Sequence, residues 1–495
     1  MRAILAALLL ASAVLAGCAT SNTTTTSSTT NPPGAVGVPG VLYEGTGGLF
    51  AGPALYSDPQ NAPHPSFNFP TLAHPAVGDN VPALWKPAPS VALPSSITAI
   101  EHVAQTEGVA AGAGIALFGS LAVVPTNGRL SQVVDIRDPT NPQVLSEFQP
   151  QENMTGHRGA AFIPYPDGRL AVVISTGAGI DVWDLTDPVN PKPLPPLFIE
   201  NAAGQTVVSH KVGVIPGTPI IVNAASDGGG AEGASASTAT GVSQMFDLSD
   251  PENPVRLPDF QNGYSCHHVY FWNNVDLGKY RGVCAGIQYT QVWDTTDPYN
   301  PSVIVSVPFG SGGTPLEVLD RSTQIPSSIS HYAGLSLDGT ILMMGDESGG
   351  GSSPPGCTAR VEVPMVGAVS VPIGAVWFYD VTVETAPVYL GHYSASQLDK
   401  FAGGLPDDPA TAASRSCTAH HGRIIPVEGR DVLAMSWYAS GVIVVDFTNV
   451  RAENGGLPMT IAQYVDDSDT WETWYYNGYL YTGDLARGMD ILKFA

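Results

Sequence analysis

The sequence predicts an all-β fold, a seven-bladed β-propeller, from its composition, a repeated motif and the pattern of its apolar runs. The chain has 495 residues with 54 Gly and 43 Pro, and charged residues make up only 13% of it. This composition is typical of many short strands joined by tight turns. Strand-like runs follow one another without interleaved helical periodicity, which excludes α/β folds.

The repeated motif is Asp-x-x-Asp-Pro-x-Asn-Pro, placed between two strand-like runs. Clear copies are VVDIRDPTNPQVL from Val133, DVWDLTDPVNPKPL from Asp181, QMFDLSDPENPVRL from Gln244 and QVWDTTDPYNPSVI from Gln291; weaker copies begin at Val376, Val442 and Gly488. Proline fixes φ and lacks a donor, while Asp and Asn side chains close tight turns. One such hairpin cannot bury its own faces, whereas about seven small sheets stacked around an axis can.

The spacing of the motif gives the size of each blade. The first aspartate of each copy stands at position 135, 184, 247, 294, 380, 446 or 490, so successive copies are 44 to 86 residues apart. The short end of this range matches one four-stranded blade, and longer spacings indicate insertions. Six or eight blades are the alternatives, because the first and last copies are the hardest to count.

The N-terminus predicts export and a lipid anchor. Arg2 precedes the apolar run AILAALLLASAVLAG, which is typical of a signal peptide over residues 1–17 and too short to span a bilayer. Leu15-Ala16-Gly17-Cys18 resembles a bacterial lipobox. The resemblance implies cleavage before Cys18 and lipid on its sulfur and amine. Ala19 follows, which by the same resemblance favours the outer membrane; an ordinary secretory signal is the alternative.

Two further segments separate the predicted anchor from the repeats. Residues 18–45 are rich in Ser and Thr and then in Pro and Gly, which predicts a flexible tether. Residues 46–95 stay Pro-rich and irregular, and we expect an extended strap there. The propeller itself is predicted over residues 96–495, on the cell surface or on the periplasmic side of a membrane.

Four cysteines remain once Cys18 is assigned to the lipid. In an exported, oxidising setting they predict two disulfides. Cys266 and Cys284 flank a segment that reads as strand, turn and strand, so we pair them, which leaves Cys357 with Cys417. The other two pairings remain open at this stage.

Charge and motifs exclude several function classes. The formal net charge is −24, whereas a nucleic-acid-binding face needs a basic excess. The sequence has no G-x-S-x-G, no H-E-x-x-H and no C-x-x-C motif. We therefore expect neither a nucleic-acid partner nor one of the common hydrolase, zinc-protease or dithiol sites.

The Asp-Pro-x-Asn-Pro copies resemble the LVIVD-repeat β-propellers of bacteria. The resemblance is most specific in TWETWYYNGYLYTGDLARGMDILKF at 470–494, and it extends to CTAHHGRIIPVEGRDV at 417–432 and SHYAGLSLDGTILMMGDES at 330–348. It covers nearly all of residues 100–495. It implies a propeller fold and says little about chemistry.

A histidine recurs at the predicted start of the innermost strand in five successive blades. These residues are His157, His210, His267, His331 and His420. His157 and His267 precede the next motif aspartate by 27 residues and His420 by 26, while the other two intervals span Gly-rich insertions. Equivalent positions lie on a ring around the channel, so we expect the imidazoles to converge there. Neutral imidazole is the commonest ligand for copper, zinc and iron, so the ring predicts a metal site.

Several other residues are candidates near this ring. Glu347 ends the strand after His331 and is predicted as a further ligand, with its neighbour Asp346 as a supporting acceptor. Alternation along a strand points His268 and His421 away from the axis, so we do not include them among the metal ligands and keep them as candidates that contact a ligand or support one. Three arginines near the blade tops are further candidates that contact a ligand or support one: Arg158, Arg423 and Arg487. Arg487 could clamp an anionic ligand, or it could pair with Asp484.

Two functions of different classes fit these observations. The first is a lipid-anchored propeller that binds a transition metal or small ligand, with a metal-dependent oxidoreductase as one form of it and enzyme status left open. The second is a non-enzymatic module for recognition or assembly at the cell surface, which binds a protein or glycan. In the second case the histidines are structural and satisfy buried polar groups of neighbouring blades.

Overall fold

The computed structural model describes residues 93–495 with several gaps. These gaps are 95, 107–113, 127–129, 155, 201–205, 226–240, 264, 275–276, 287–288, 309–329, 348–357, 364–366, 373, 396–417, 428, 453–455 and 466–468. The predicted signal peptide (1–17), tether (18–45) and nearly all of the strap (46–95) therefore lie outside the described residues. So do Cys18, Cys357 and Cys417.

The described residues form seven antiparallel sheets, or blades, and all but the last are assembled from strands close in sequence. β1 (Ile100–Gln105) belongs to the last blade. Blade 1 contains β2 (Ala116–Phe118), β3 (Leu121–Thr126), β4 (Leu130–Asp135) and β5 (Gln143–Phe148). Blade 2 contains β6 (Ala160–Pro164), β7 (Leu170–Thr176), β8 (Gly179–Asp184), β9 (Lys192–Pro193) and β10 (Leu197–Phe198), with both β9 and β10 paired to β8.

The middle blades follow the same plan. Blade 3 contains β11 (Lys211–Val214), β12 (Ile220–Ala224), β13 (Met245–Asp247) and β14 (Val255–Arg256). Blade 4 contains β15 (His268–Asn274), β16 (Lys279–Ala285), β17 (Tyr289–Asp294) and β18 (Ser302–Pro308). Blade 5 contains β19 (Ser330–Leu335), β20 (Ile341–Asp346), β23 (Val376–Asp380) and β24 (Val388–Tyr393), and β21 (Thr358–Val363) and β22 (Gly367–Pro372) form a separate hairpin inserted after β20.

The last two blades complete the ring. Blade 6 contains β25 (Gly422–Val427), β26 (Arg430–Ser436), β27 (Val442–Asp446) and β28 (Met459–Tyr464). Blade 7 contains β29 (Thr470–Tyr476), β30 (Tyr479–Asp484) and β31 (Gly488–Phe494), with β1 paired to β31. The all-β, seven-bladed prediction is therefore confirmed, and the alternatives of six or eight blades are wrong.

The repeated motif lies where the third strand of a blade turns into the fourth. In the first six blades the motif aspartate is the last residue of the third strand, and in blade 7 Asp490 lies within β31. Asp184 and Asp187 show the local reason. The Asp184 carboxylate accepts the Thr186 amide at 2.8 Å, and the Asp187 carboxylate accepts the side-chain amide of Asn190 at 2.9 Å. These short-range bonds set the turn before any blade packs on another.

Apolar residues of neighbouring blades pack against each other to form the core. Between blades 6 and 7, for example, Ile425, Val432 and Val444 are buried with Leu480 and Leu492. Burial of each such side chain stabilises the fold by about 1.5 to 3 kcal/mol. Among the described residues, no helix has the length and hydropathy needed to cross a membrane.

The predicted bond between Cys266 and Cys284 is present, with an S–S distance of 2.03 Å. Cys266 lies two residues before β15, and Cys284 lies in β16, where it pairs with Val269. The bond therefore ties the entry of the innermost strand of blade 4 to the next strand. This entry also carries His267 and His268.

Candidate metal centre

Six histidines meet at the end of the channel where the innermost strands begin. They come from four consecutive blades: His210 precedes β11, His267 and His268 stand at the start of β15, His331 is in β19, and His420 and His421 precede β25. All six side chains are buried. We call this set the axial histidine cluster.

The rings of the axial histidine cluster form a continuous contact chain. The centroids of His210 and His267 are 3.7 Å apart, those of His267 and His331 4.4 Å, and those of His331 and His420 4.3 Å. His421 lies 4.6 Å from His331 and 4.2 Å from His268. Imidazoles from separate blades thus share one small volume on a rigid scaffold.

Two groups of three within the cluster could hold a metal ion. They are His210, His267 and His331, which we call the first triad, and His331, His420 and His421, the second triad. In each group the ligand atoms lie within 4.8 Å of one another. Nitrogens bound to one ion at about 2.1 Å cannot be more than about 4.2 Å apart. Small ring rotations would therefore complete either site.

The ring nitrogens at the centre of the cluster lack hydrogen-bond partners among the described residues. It is true of both ring nitrogens in each of three residues, His267, His268 and His331. His331 Nε2 is 3.2 Å from Glu347 Oε2, close enough for an ion pair but outside hydrogen-bond geometry. Buried polar atoms normally have a hydrogen-bond partner. A group of buried ring nitrogens without one therefore indicates that an ion or a ligand binds here.

The remaining nitrogens indicate which triad is more available. His210 Nδ1 donates to the backbone oxygen of His267 at 3.2 Å, which leaves its Nε2 as the basic nitrogen. His420 Nδ1 donates to the oxygen of Trp471 at 2.5 Å, and His420 Nε2 accepts from the Trp471 indole. A metal at His420 would have to displace that indole contact. The first triad needs no such displacement.

Glu347 brings a carboxylate to the cluster, and Tyr438 holds it there. One carboxylate oxygen accepts the Tyr438 hydroxyl, and the same oxygen is 3.5 Å from His420 Nε2. Tyr438 has φ of 48°, a left-handed conformation that non-glycine residues rarely adopt. Such strain is typical of residues whose position a functional site demands. The carboxylate can act as a ligand or orient a liganding imidazole.

Burial keeps the cluster in the neutral form that binds metals. It lowers the pKa of His267 from its ordinary value to about 3. Burial also lowers the pKa of the other five imidazoles well below the ordinary value. The Arg158 charge lowers the pKa of His210 and His267 further. Neutral imidazole offers a free electron pair, so no proton has to leave before a metal binds.

His157, predicted as one of the ligands, has both ring nitrogens in hydrogen bonds. Its Nε2 is 2.9 Å from Asp181 Oδ2, and its Nδ1 is 2.8 Å from the Ser131 hydroxyl. Both ring nitrogens are therefore occupied by neighbouring strands, β8 in its own blade and β4 in blade 1. His157 belongs to neither triad and is a structural histidine.

The sequence contains the residue that gives His157 a different environment from the equivalent histidines of blades 3 and 4. The third strand of blade 2 has Asp181 where the strands of blades 3 and 4 have Gln244 and Gln291. Asp181 accepts the imidazole and also the Trp183 indole at 3.0 Å. Gln291 instead binds the Asn262 side chain at 3.1 Å and accepts the Trp293 indole. The histidines of blades 3 and 4 thus lose this structural partner and face the axis.

The prediction that His268 and His421 point away from the axis is wrong. Both lie in the axial histidine cluster, and His421 is a member of the second triad. β25 begins only at Gly422, so His420 and His421 precede regular strand structure. Alternation across a sheet does not apply there. His268, by contrast, is the first residue of β15, and its ring lies 4.0 Å from that of Tyr270, two residues further along the strand.

The other predicted residues occupy different places. Asp346 accepts the Gly374 amide at 3.1 Å and belongs to neither triad. Arg487 contacts Asp490 at 2.6 Å within blade 7. Arg158 is half-buried near His210 and His267, while Arg423 is buried one layer further along the channel.

A buried ionic layer below the axial histidine cluster was missed by sequence reasoning. Lys211 Nζ is 2.5 Å from Glu472 Oε2, and Arg423 is 3.5 Å from the other oxygen of the same carboxylate. The lysine crosses the channel over Gly114 and Gly159, where a Cβ would lie within 3.0 Å of its nitrogen or 2.4 Å of its Cδ. The sequence signal was weak: a lysine directly after His210, and a glutamate among the aromatics of blade 7.

Comparisons with known proteins give no family for this chain. No family model matches it, and no curated protein matches it. Among solved structures, Raptor from Chaetomium thermophilum is similar at 11% identity and a TM-score of 0.48, over 81% of this chain and 29% of the Raptor chain. The C-terminal WD40 domain of Sif2 is similar at 10% identity and a TM-score of 0.41, over 81% of this chain and 99% of that domain. We base the seven-bladed assignment on the sheets themselves.

Two histidines in the same register should differ in what their removal costs. In metal-free protein, we expect His157→Ala to lower the free energy of unfolding by at least about 2 kcal/mol more than His267→Ala, because it removes two buried hydrogen bonds, to Asp181 and to the Ser131 hydroxyl. His267→Ala removes a ring with no hydrogen bond. Urea unfolding at neutral pH measures both. Equal losses would show that His267 is also a structural histidine.

The buried imidazoles should make the metal-free protein sensitive to mild acid. A lowered pKa in the folded state means that below pH 6.5 or so the unfolded chain binds more protons, so stability is lost as pH falls. From pH 7.5 to 5.5 we expect about 1.4 kcal/mol of loss for each histidine that stays neutral. The measurement is the unfolding free energy in chelator at both pH values. The His267→Gln/His331→Gln variant should lose less, and an unchanged pH dependence would contradict the prediction.

Proposed function

We propose that this protein holds a transition-metal ion in the axial histidine cluster of its propeller. The observation that carries the proposal is that His267 and His331 are buried with all four ring nitrogens lacking a hydrogen-bond partner among the described residues. Leaving a polar group buried and unsatisfied costs about 1 to 3 kcal/mol. A metal at the first triad would remove that cost for each nitrogen it binds.

The donor set supports a transition metal rather than calcium or magnesium. Three or more imidazoles with one carboxylate suit copper, zinc or iron, whereas calcium and magnesium prefer oxygen ligands. His210, His267 and His331 would hold the ion, because His420 is engaged by Trp471. Glu347, fixed by Tyr438, would neutralise part of the charge or orient His331.

The surroundings of the site favour a preorganised rather than an induced centre. The Cys266–Cys284 bond fixes the backbone one residue before His267. The other two ligands, His210 and His331, stand beside or on the innermost strands of blades 3 and 5. A bound metal could therefore serve a catalytic or a purely structural purpose, and the proposal concerns binding only.

We also propose that the protein works outside the cytoplasm, attached to the outer membrane by lipid on Cys18. The support is the signal-like run before Cys18, the lipobox-like LAGC and the Ser/Thr-rich tether. The Cys266–Cys284 bond agrees with an oxidising compartment. The resemblance to LVIVD-repeat propellers of bacteria belongs to the same proposal, since the sheets themselves establish only the propeller.

Metal content of histidine variants tests the site and distinguishes the triads. We expect the purified full chain, loaded with Zn²⁺ or Cu²⁺ and desalted, to carry close to one ion by mass spectrometry. His331→Ala, which removes the residue shared by both triads, should lose at least about ten-fold in affinity. His210→Ala should lose similarly and His421→Ala much less, because the first triad is the more available.

A matched control is His102→Ala, which removes a half-exposed histidine that contacts Asp490 far from the cluster. It should keep its metal. Loss at His421→Ala but not at His210→Ala would move the site to the second triad. No metal in the unaltered chain after loading would overturn the proposal and favour a recognition module with structural histidines.

Fatty-acid labelling tests the anchor. When the full chain is expressed in a Gram-negative bacterium with labelled palmitate, we expect label on the protein and recovery in the outer-membrane fraction. Cys18→Ser should remove both, because the thiol that receives lipid is gone. Ala19→Ser is the control and should keep the label. An unlabelled soluble product from the unaltered chain would contradict the lipid anchor.

A further inference from the structure

A cavity occupies the channel next to the axial histidine cluster, and one member of the cluster, His268, lines it. Its volume is about 130 Å³, and residues from six of the seven innermost strands line it. Most of the wall is apolar and aromatic, with side chains that include Phe118, Phe162, Val214, Phe271 and Trp474. An engineered apolar cavity of about 150 Å³ holds a benzene ring, so this one has room for a ligand of that size.

The inner end of this cavity is cationic. Lys211 and Arg423 both line it, and none of the described lining residues is acidic. Glu472 lies behind these two cations, and both of them share its carboxylate. A ligand carboxylate at this end of the cavity would bring a second counter-charge to the two cations.

Arg423 is held in a fixed plane at this end of the cavity. Its guanidinium lies 4.3 Å from the centroid of the Tyr270 ring and 3.9 Å from that of the Trp474 ring. Trp474 in turn donates its indole N–H to Glu472 at 3.0 Å. A guanidinium clamped between two rings is preorganised for a carboxylate, because it loses little freedom when the ligand binds.

A neutral polar group completes the inner end of the cavity. His268 lines the cavity, is buried, and has no hydrogen-bond partner for either ring nitrogen among the described residues. Its N–H can donate to an oxygen of a ligand. The same wall thus offers two charged donors and one neutral donor beside an aromatic chamber.

From this arrangement we propose that the channel binds a small organic monocarboxylate. Its carboxylate would lie at Lys211 and Arg423, and its apolar or aromatic body would fill the chamber of Phe118, Phe162 and Phe271. The inference is independent of the proposed metal, since none of the three first-triad histidines lines the cavity. His268 lies between the two sites, at 4.2 Å from the His421 ring.

Three benzene derivatives of similar size and different charge test whether binding depends on the charge of the ligand or only on its shape. We would titrate the purified full chain in chelator with benzoate, benzamide and benzylammonium by calorimetry. We expect benzoate to bind at least about ten-fold more tightly than benzamide, because charge-assisted hydrogen bonds are the stronger kind. Benzylammonium should not bind. Equal affinities for benzoate and benzamide would overturn the anionic specificity.

Two variants, one that removes a positive charge and one that removes a negative charge, test whether benzoate binds in this cavity. Lys211→Met keeps the length of the side chain over Gly159 and leaves Arg423 and Glu472 balanced, so benzoate affinity should fall at least about ten-fold. Glu472→Gln removes the carboxylate that competes with a ligand for both cations, so benzoate affinity should rise several-fold. If the three charged residues only stabilise the fold, benzoate affinity should fall in both variants or stay unchanged in both.

The control is Lys192→Met, which removes an exposed lysine in β9 and should bind benzoate like the unaltered chain. Unchanged benzoate affinity in Lys211→Met would place the ligand elsewhere and overturn the proposal. Absence of benzoate binding in a chain that still takes up Zn²⁺ would overturn the carboxylate site alone. If the chain binds benzoate but takes up no metal, the carboxylate site is supported and only the metal proposal fails.

Discussion

The pairing of β1 with β31 is the contact on which the other features of this molecule depend. It joins an N-terminal strand to the C-terminal strand, with Ile100 opposite Phe494 and Gln105 opposite Asp490. Because it closes the ring, blade 7 is held between blades 6 and 1. That position brings Trp471 to His420, and Glu472 to both Lys211 and Arg423. Neither end of the channel could be assembled from an open row of blades.

The histidines show how one repeated position can serve two purposes. His157 has an acidic partner in its own blade, Asp181, and a hydroxyl partner in the blade before it. His267 has neither, because Gln291 is engaged by Asn262 and Trp293. The first imidazole therefore stabilises the scaffold, and the second is available to a ligand. A single carboxylate in the third strand decides between these outcomes.

The channel separates two kinds of chemistry along its length. Where the innermost strands begin, it contains neutral imidazoles whose charge burial suppresses. One layer further, Lys211, Arg423 and Glu472 form an ionic layer, and beyond it the walls become apolar. Lys211 shows how burial and pairing compete: burial lowers its pKa, while Glu472 opposes that shift.

The sequence by itself determined the all-β class, and it favoured seven blades and the bond between Cys266 and Cys284 over their alternatives. These follow from local causes, since Asp-Pro-x-Asn-Pro sets each turn and the strand–turn–strand segment brings its own cysteines together. It also located five histidines at strand starts. Only the tertiary structure decided that His157 is satisfied by Asp181 and that His268 and His421 join the cluster. Side chains near the axis contact residues hundreds of positions away, such as Lys211 and Glu472, and no local pattern records such a contact.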